Sequence, residues 1–238
     1  HMFMGQAVKS LIGASVGEPG RPAAARKLDA VRKPADVLAF LGLRKGMVAA
    51  DLITGTGYWA EIIARVVGPT GSVEAFEPIQ FQADAAGAFA HEGLKARNTN
   101  LTLTRYPFEA FAGGEKRFDF AIINDSYHDL YWQSERYKIP RAEPALFLKA
   151  LFAAMKPGGI VGVIDHAANP GGDTRAVVDK LHRIDPATVK ADFEAAGFRL
   201  AATSPLLART DDDHMKLIFD PAVRGKTDRF LFRFVRPR

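Results

Sequence analysis

Short apolar runs alternate along the chain with longer amphipathic segments. Four runs, at 48–53, 72–77, 118–124 and 159–165, have the length and composition of buried strands. The run at 159–165 is apolar at nearly every position, which is typical of a strand covered on both faces. Alternation of strands with helices predicts an α/β fold in which helices cover both faces of a parallel sheet. The other predicted strands are 101–105, 198–203 and 229–235, and the predicted helices are 24–43, 60–67, 80–92, 143–155, 174–181 and 186–197.

The composition fits one globular unit of enzyme size. The chain has 238 residues, of which 47% are hydrophobic and 25% charged. Residues 1–20 are predicted to be an N-terminal extension, whose first two residues, His1 and Met2, resemble a cloning remnant. Residues 21–238 are predicted to form a single domain. No apolar run is long enough to predict a membrane span.

The net charge of +5 allows acidic partners, but its distribution does not favour nucleic acid. No run of adjacent basic residues interleaves with aromatic residues, so solvated surface charge is the better interpretation. The absence of cysteine excludes disulfides, thiolate zinc sites and thiol nucleophiles. A cytoplasmic location is favoured, with export after removal of a signal peptide as the alternative. The sequence is compatible with a homodimer but does not predict the oligomeric state.

A glycine turn follows the first predicted strand and precedes a helix. Gly55 and Gly57 would let a ligand lie against bare backbone, because neither has a Cβ. Glu77, at the end of the second strand, could accept hydrogen bonds from both hydroxyls of a ribose. Asp51 beside the turn would repel a phosphate but suits a cationic ligand, and Ala60 stands where a dinucleotide motif has glycine. These features predict a nucleoside cleft at the carboxyl edge of the sheet.

The same turn resembles motif I of class I S-adenosylmethionine-dependent methyltransferases, whose pattern is D-x-G-x-G-x-G. Asp51, Gly55 and Gly57 fall on this pattern, and Ile53 stands in place of its first glycine. Over roughly residues 20–236 the chain is also similar to a group of bacterial predicted methyltransferases of undefined substrate. The segments that carry this similarity include Tyr127-His-Asp-Leu130, Leu181-His-Arg-Ile-Asp-Pro186 and Arg224-Gly-Lys-Thr-Asp-Arg-Phe230. Met155-Lys-Pro-Gly-Gly-Ile160 resembles the L-K-P-G-G turn before the fifth strand of class I methyltransferases.

The resemblance implies a fold and a cofactor. The fold is a doubly wound, mostly parallel, seven-stranded Rossmann-like sheet with an antiparallel last strand, and the cofactor is S-adenosylmethionine. Asp51 would order the loop near the methionyl amine, and Glu77 would hold the ribose. Phe108 would stack on the adenine or, as the alternative, belong to the core. The implied cofactor-binding residues are Asp51, Thr54, Gly55, Gly57, Glu77, Phe108, Asn124 and Asp125.

Candidate catalytic residues follow the fourth and fifth predicted strands. They are Tyr127, His128, Asp165 and His166. Histidine titrates near neutrality, so either histidine could remove a proton from a hydroxyl acceptor, with Asp165 orienting it. Asp125, Asp165 and His166 would also suit magnesium or calcium. This metal variant is not favoured over ion-paired or capping roles for the acids, and no residue is assigned to a metal.

The sequence therefore predicts S-adenosylmethionine-dependent methyl transfer to a small molecule, with oxygen as the favoured acceptor. Asn124 and Tyr127 match the outer residues of the N-P-P-Y motif that grips planar amines, but both prolines are missing. One alternative is a protein of this fold that binds a nucleoside without turnover. The other is a nucleic-acid methyltransferase.

Overall fold

The chain is described by a computed structural model that covers residues 2–81 and 84–238, with side chains from residue 9 onward except at residue 85. The strands are β1 (Val48–Leu52), β2 (Ser72–Pro78), β3 (Leu101–Tyr106), β4 (Phe118–Asn124), β5 (Met155–His166), β6 (Arg199–Ser204) and β7 (Arg229–Val235). The helices are α1 (Met2–Gly17), α2 (Ala23–Arg26), α3 (Asp29–Arg32), α4 (Pro34–Leu41), α5 (Tyr58–Val67), α6 (Ala85–Arg97), α7 (Pro144–Ala154), α8 (Thr174–Leu181) and α9 (Pro186–Ala195).

The seven strands form one sheet in the order β3-β2-β1-β4-β5-β7-β6. The pairs β1–β2, β2–β3, β1–β4 and β4–β5 are parallel, and β7 runs antiparallel to both β5 and β6. The predicted doubly wound sheet with its antiparallel last strand is thereby confirmed. The strand order reverses beside β1, where ligands bind in open sheets of this kind.

Both faces of the sheet are buried, which explains the continuous apolar runs in the sequence. Along β4, Phe120 and Ile122 belong to one apolar cluster and Ala121 and Ile123 to another. Strands covered on both faces lose the alternation of polar and apolar positions that marks a half-exposed strand. The central strands are therefore packed on both faces, and side chains at their carboxyl ends extend from a continuous apolar core.

The glycine turn between β1 and α5 depends on left-handed backbone. Gly55 and Gly57 have φ values of +61° and +87°. A Cβ on Gly57 would lie 2.3 Å from Leu94 Cδ2, so both conformation and space require glycine there. Ile53 takes the same left-handed region, with φ of +55°, at a cost of roughly 1–2 kcal/mol for a residue with a Cβ. The loop thus keeps its shape without the first motif glycine.

Three predicted elements differ from the structure by more than two residues at a boundary. The predicted helix 24–43 is divided into α2, α3 and α4, because Lys33 is left-handed and Pro34 starts a new helix. The predicted helix 80–92 runs instead from 85 to 97, after Asp84 caps it by accepting a hydrogen bond from the Gly87 amide at 2.8 Å; residues 82–83 of the prediction lie outside the described residues. The predicted turn at 156–159 lies inside β5, where the Gly158 amide donates to the Arg236 carbonyl.

The N-terminal helix contacts the body of the fold. Ile12 of α1 is buried in the apolar cluster that contains Leu38 and Ile62. Arg21, just after α1, is buried and pairs with Asp29 at 2.8 Å. The division of the chain at residue 20 stays a prediction. Among the described residues, the helices are too short or too polar to cross a membrane.

Candidate active site at the carboxyl edge of the sheet

Asp51 ties the glycine turn to the start of α5. Its Oδ2 accepts hydrogen bonds from Thr54 Oγ1 at 2.7 Å and from the Ala60 amide at 3.0 Å. Burial raises the pKa of Asp51 to about 7, against the effect of these two donors. A cation nearby would favour the carboxylate, because it would offset the loss of hydration. Asp51 is therefore placed to order the turn, as the resemblance implies.

Glu77 is buried beside the turn with few partners of its own. Its Oε1 accepts one long hydrogen bond, 3.4 Å, from the Gly55 amide. Burial raises the pKa of Glu77 to about 8, against the effect of this bond. His91 of α6 completes the cluster, since its Nε2 lies 2.7 Å from the Gly55 carbonyl oxygen and 3.8 Å from Glu77 Oε2. The sequence carries no local signal for His91, which reaches the site only through the packing of α6.

The chemistry of this edge fits a nucleoside with a polar amino-acid tail. A Cβ built on Gly55 meets nothing within 4 Å, so the turn is open on that side. Asn124 Oδ1 and the Tyr106 hydroxyl are buried and have no hydrogen-bond partner among the described residues. An unpaired buried polar group costs roughly 1–3 kcal/mol, which a ligand with matching groups would recover. Asn124 and Glu77 end neighbouring parts of the sheet on either side of β1.

Phe108 lies in the apolar core of this edge. Its side chain is buried, and its ring centroid is 4.9 Å from that of Phe81. The backbone amide of Phe108 donates to Gln80 Oε1 at 3.0 Å. These contacts agree with the core alternative for Phe108, and stacking on adenine stays a prediction.

His128 and Asp165 form a buried pair between β5 and the 3₁₀ turn Tyr127–Tyr131 that follows β4. Asp165 Oδ1 lies 2.7 Å from His128 Nδ1, and Asp165 Oδ2 accepts the His128 backbone amide at 2.8 Å. Burial opposes a charge on His128, but Asp165 and Asp129 outweigh it and raise the pKa of His128 to about 9. At neutral pH this imidazole is charged, which makes it a weak proton acceptor.

His166 is the second histidine at this edge, and its environment is different. Its Nδ1 lies 2.6 Å from Thr227 Oγ1, and its Nε2 lies 3.8 Å from Asp125 Oδ1. Burial lowers the pKa of His166, although Asp125 works in the opposite direction. His166 is therefore neutral at neutral pH and can accept a proton.

Asp125 carries the negative charge that faces His166. It has a left-handed φ of +54°, and its Oδ2 lies 3.2 Å from Arg229 Nη1. Burial alone would raise the pKa of Asp125, but His166 and Arg229 outweigh it and hold it below its usual value. Sequence reasoning missed Arg229, which reaches the site only because β7 pairs with β5 and sets Arg229 opposite His166.

Tyr127 is turned away from the other candidate catalytic residues. Its hydroxyl donates to Asp192 Oδ2 at 2.7 Å, and its ring packs against Phe193 of α9. The structure thus brings His128, Asp165 and His166 together and directs the Tyr127 hydroxyl toward α9.

Comparisons with known proteins agree on the fold. No protein-family model matches the chain. The chain is similar to a crystal structure of an S-adenosylmethionine-dependent methyltransferase from Aquifex aeolicus, with a TM-score of 0.61, 20% identity, and coverage of 91% of this chain and 99% of that one. It is also similar to 1,6-didemethyltoxoflavin-N1-methyltransferase from Burkholderia thailandensis with bound S-adenosylhomocysteine, with a TM-score of 0.57, 16% identity, and coverage of 92% and 80%. The chain therefore has the Rossmann-like fold of class I methyltransferases.

One group of curated relatives is similar in sequence. Demethylmenaquinone methyltransferase from Staphylococcus aureus is 27% identical over 128 residues, which are 52% of this chain and 45% of the relative. The match thus spans about half the length of that relative.

Proposed function

We propose that this protein is an S-adenosylmethionine-dependent methyltransferase that acts on a hydroxyl group of a small molecule. The observation that carries the proposal is the buried Glu77 carboxylate beside the open Gly55 turn, at the strand-order reversal of a methyltransferase-type sheet. Within the described part of the chain, this side chain is buried and accepts a single long hydrogen bond, so its carboxylate form is poorly satisfied. Two ribose hydroxyls would supply the missing donors.

Different residues of the chain would bind different parts of the cofactor. Glu77 would hold the ribose, Asn124 Oδ1 would accept from the methionyl amine, and Asp51 would order the turn through Thr54. Gly55 and Gly57 would let the methionine tail approach the backbone. When bound, the cofactor supplies an electrophilic methyl carbon, whose bond to sulfur breaks with its electron pair left on sulfur as the acceptor oxygen bonds to the carbon.

The proton of the acceptor hydroxyl goes to His166 in this proposal. His166 is neutral at neutral pH because burial lowers its pKa, whereas His128 is already charged. Asp125, 3.8 Å from His166 Nε2, would stabilise the imidazolium that forms. Asp165 would act indirectly. It fixes the ring of His128 and accepts a hydrogen bond from the His166 backbone amide at 2.8 Å.

The relatives support a small acceptor. The names of the Staphylococcus aureus and Burkholderia thailandensis proteins both describe methylation of a small molecule. The proposed acceptor pocket lies beside His128, Asp165 and His166, and the burial of the first two side chains suits a compact substrate better than a polymer. We keep 21–238 as the catalytic domain, a cytoplasmic location and the absence of nucleic-acid partners as proposals of the same kind, with a homodimer left open.

Calorimetric titration of the full chain with S-adenosylmethionine, followed by transfer of a labelled methyl group to a panel of phenols, alcohols, amines and nucleic acids, tests the proposal. We expect saturable binding of one cofactor per chain and labelling of at least one hydroxyl compound. Absence of binding would reject the cofactor. Binding without transfer to any phenol, alcohol, amine or nucleic acid would instead support the non-catalytic alternative, and labelling of amines alone would reject the oxygen acceptor.

A further inference from the structure

A second group of metal-ligand side chains lies beside the proposed acceptor pocket. His128 and Asp129 belong to the 3₁₀ turn after β4, and His182 ends α8. One side-chain nitrogen or oxygen from each of the three lies within 4.8 Å of the others. The group is separate from the oxygen-rich set of Asp125, Asp165 and His166.

Two of the three potential ligand atoms already have the spacing found around a metal ion. His128 Nε2 lies 3.3 Å from Asp129 Oδ1. Two ligands bound at about 2.1 Å in tetrahedral geometry are separated by roughly 3.4 Å. An ion could therefore bridge His128 Nε2 and the Asp129 carboxylate with little movement of either side chain.

Asp165 gives His128 the support that metal-binding histidines usually have. Its Oδ1, 2.7 Å from His128 Nδ1, favours the tautomer in which Nδ1 carries the hydrogen. Displacement of the Nε2 proton by an ion would then leave a lone pair on that nitrogen, on the side of Asp129. Asp165 has no exposed surface, so water does not compete for this contact.

His182 supplies the third ligand from a conformation that few residues adopt. Its φ is +53°, in the left-handed region, where a residue with a Cβ is strained and often functional. Within residues 2–81 and 84–238, neither ring nitrogen of His182 has a hydrogen bond or an ion pair. Its ring lies instead among aromatic neighbours, 5.5 Å from Trp132 and 5.6 Å from Phe219 between centroids.

We propose that His128, Asp129 and His182 bind a divalent first-row transition-metal ion of the zinc class. Two imidazole nitrogens and one carboxylate favour such an ion over magnesium or calcium, and they leave coordination positions open. A role in the reaction rests on the proposed function: the ion would coordinate the acceptor oxygen, and the displaced hydroxyl proton would pass to His166.

Metal titration of the purified, chelator-treated full chain tests the site without any assay of methyl transfer. Cobalt(II) is the probe, because its visible absorption reports nitrogen coordination, and zinc is then added to displace it. We expect one cobalt per chain, visible bands, and displacement by zinc but not by a similar concentration of magnesium. His182→Ala should weaken cobalt binding by roughly 10- to 100-fold, while circular dichroism and S-adenosylmethionine binding stay unchanged.

His214→Ala is the matched control, since His214 lies outside the group and pairs with Asp228 at 2.8 Å. It should bind cobalt as the unmodified chain does. Equal cobalt binding by His182→Ala, or no binding below millimolar cobalt, would overturn the proposal. A site that prefers magnesium and is lost in Asp125→Asn but kept in His182→Ala would also overturn it and assign the metal to the oxygen-rich set. If the unmodified chain does not bind S-adenosylmethionine, the proposed function is rejected, but the metal-site proposal is not.

Discussion

Asp165 holds His128 with both of its carboxylate oxygens, one on the ring nitrogen Nδ1 at 2.7 Å and the other on the backbone amide at 2.8 Å. This pair fixes the turn after β4 to the end of β5. It also sets the direction of the His128 ring, on which the proposed metal site depends. Because neither side chain has appreciable exposed surface, the pair is stabilised by contacts within the protein alone.

Replacement of this carboxylate should destabilise the fold. Asp165 accepts hydrogen bonds from the His128 ring, the His128 amide and the His166 amide. In Asp165→Asn, the new amide nitrogen would face at least one of these donors and could not accept its hydrogen bond. A buried donor without a partner costs roughly 1–3 kcal/mol. We expect urea unfolding to show a loss of that size. Asp119→Asn is the control, because Asp119 is partly exposed beside Lys156 and should lose less; equal losses would contradict the argument.

Cofactor binding should release a proton from Glu77. The pKa of Glu77 in the ligand-free structure is about 8, so the carboxyl is mostly protonated at neutral pH. Ribose hydroxyls donate to the carboxylate form, so binding lowers this pKa, and cofactor affinity rises with pH until about pH 8. Calorimetry in two buffers of different ionisation enthalpy measures the released proton. Glu77→Gln should release fewer protons and bind the cofactor roughly 10- to 100-fold more weakly.

Glu74→Gln is the matched control for this experiment. Glu74 lies on the same strand but pairs with Arg117 and Thr104, away from the turn. It should show the proton release and affinity of the unmodified chain. The titration of the cofactor's own amino group is common to all three proteins, so differences between them isolate Glu77. The same proton release in Glu77→Gln as in the unmodified chain would show that Glu77 does not ionise on binding.

The ion pair of Arg183 and Asp212 should be the more costly of two pairs to break. Arg183 Nη1 lies 2.8 Å from Asp212 Oδ2, and both side chains are almost fully buried. Removing one partner leaves a buried charge uncompensated, at a cost of about 3–5 kcal/mol. Arg183→Ala should therefore lower the free energy of unfolding in urea by that amount.

An exposed pair offers the comparison. Arg141 lies 2.9 Å from Glu143, and both side chains are more than half exposed. Arg141→Ala should cost no more than about 1 kcal/mol, because water screens the pair. Similar losses for Arg183→Ala and Arg141→Ala would show that burial does not set the difference.

The sequence predicted both ends of an element correctly where its hydrophobic pattern and the residues at its ends indicated the same boundaries. β4 is apolar on both faces, and α8 starts after Asp173, whose side chain accepts the Ala176 amide at 3.0 Å. The predicted turn at 156–159 lies within the bounds of β5, but its residues depart from regular pairing with β4. The register with β4 passes from Phe118–Met155 directly to Phe120–Ile160, Gly158 has a left-handed φ of +81°, and its amide donates to the Arg236 carbonyl just after β7.

The positions of the candidate site residues were predictable where these residues lie at the ends of strands. Asp51 and Glu77 end neighbouring parallel strands, so they had to meet at one edge. His91 and Arg229 reach the same edge from a helix and an antiparallel strand whose packing no local pattern reveals. Tyr127 was placed at the correct edge, but the 3₁₀ turn sends its hydroxyl toward α9.

His166 should be required for methyl transfer and not for cofactor binding. Removal of a general base lowers the rate by about 10²–10⁴ while leaving the cofactor's contacts in place. His166→Gln keeps a polar side chain that can still contact Thr227, so the loop before β7 should stay folded. We expect single-turnover transfer to a hydroxyl acceptor to slow by that factor, and calorimetry to give an unchanged affinity for S-adenosylmethionine. His214→Gln, on an exposed loop, should transfer at the normal rate.

If His166→Gln transfers as fast as the unmodified chain and His128→Gln does not, the proton goes to His128 and the assignment of the base is wrong. If both transfer normally, the site works by holding the acceptor in line with the methyl carbon, without a protein base.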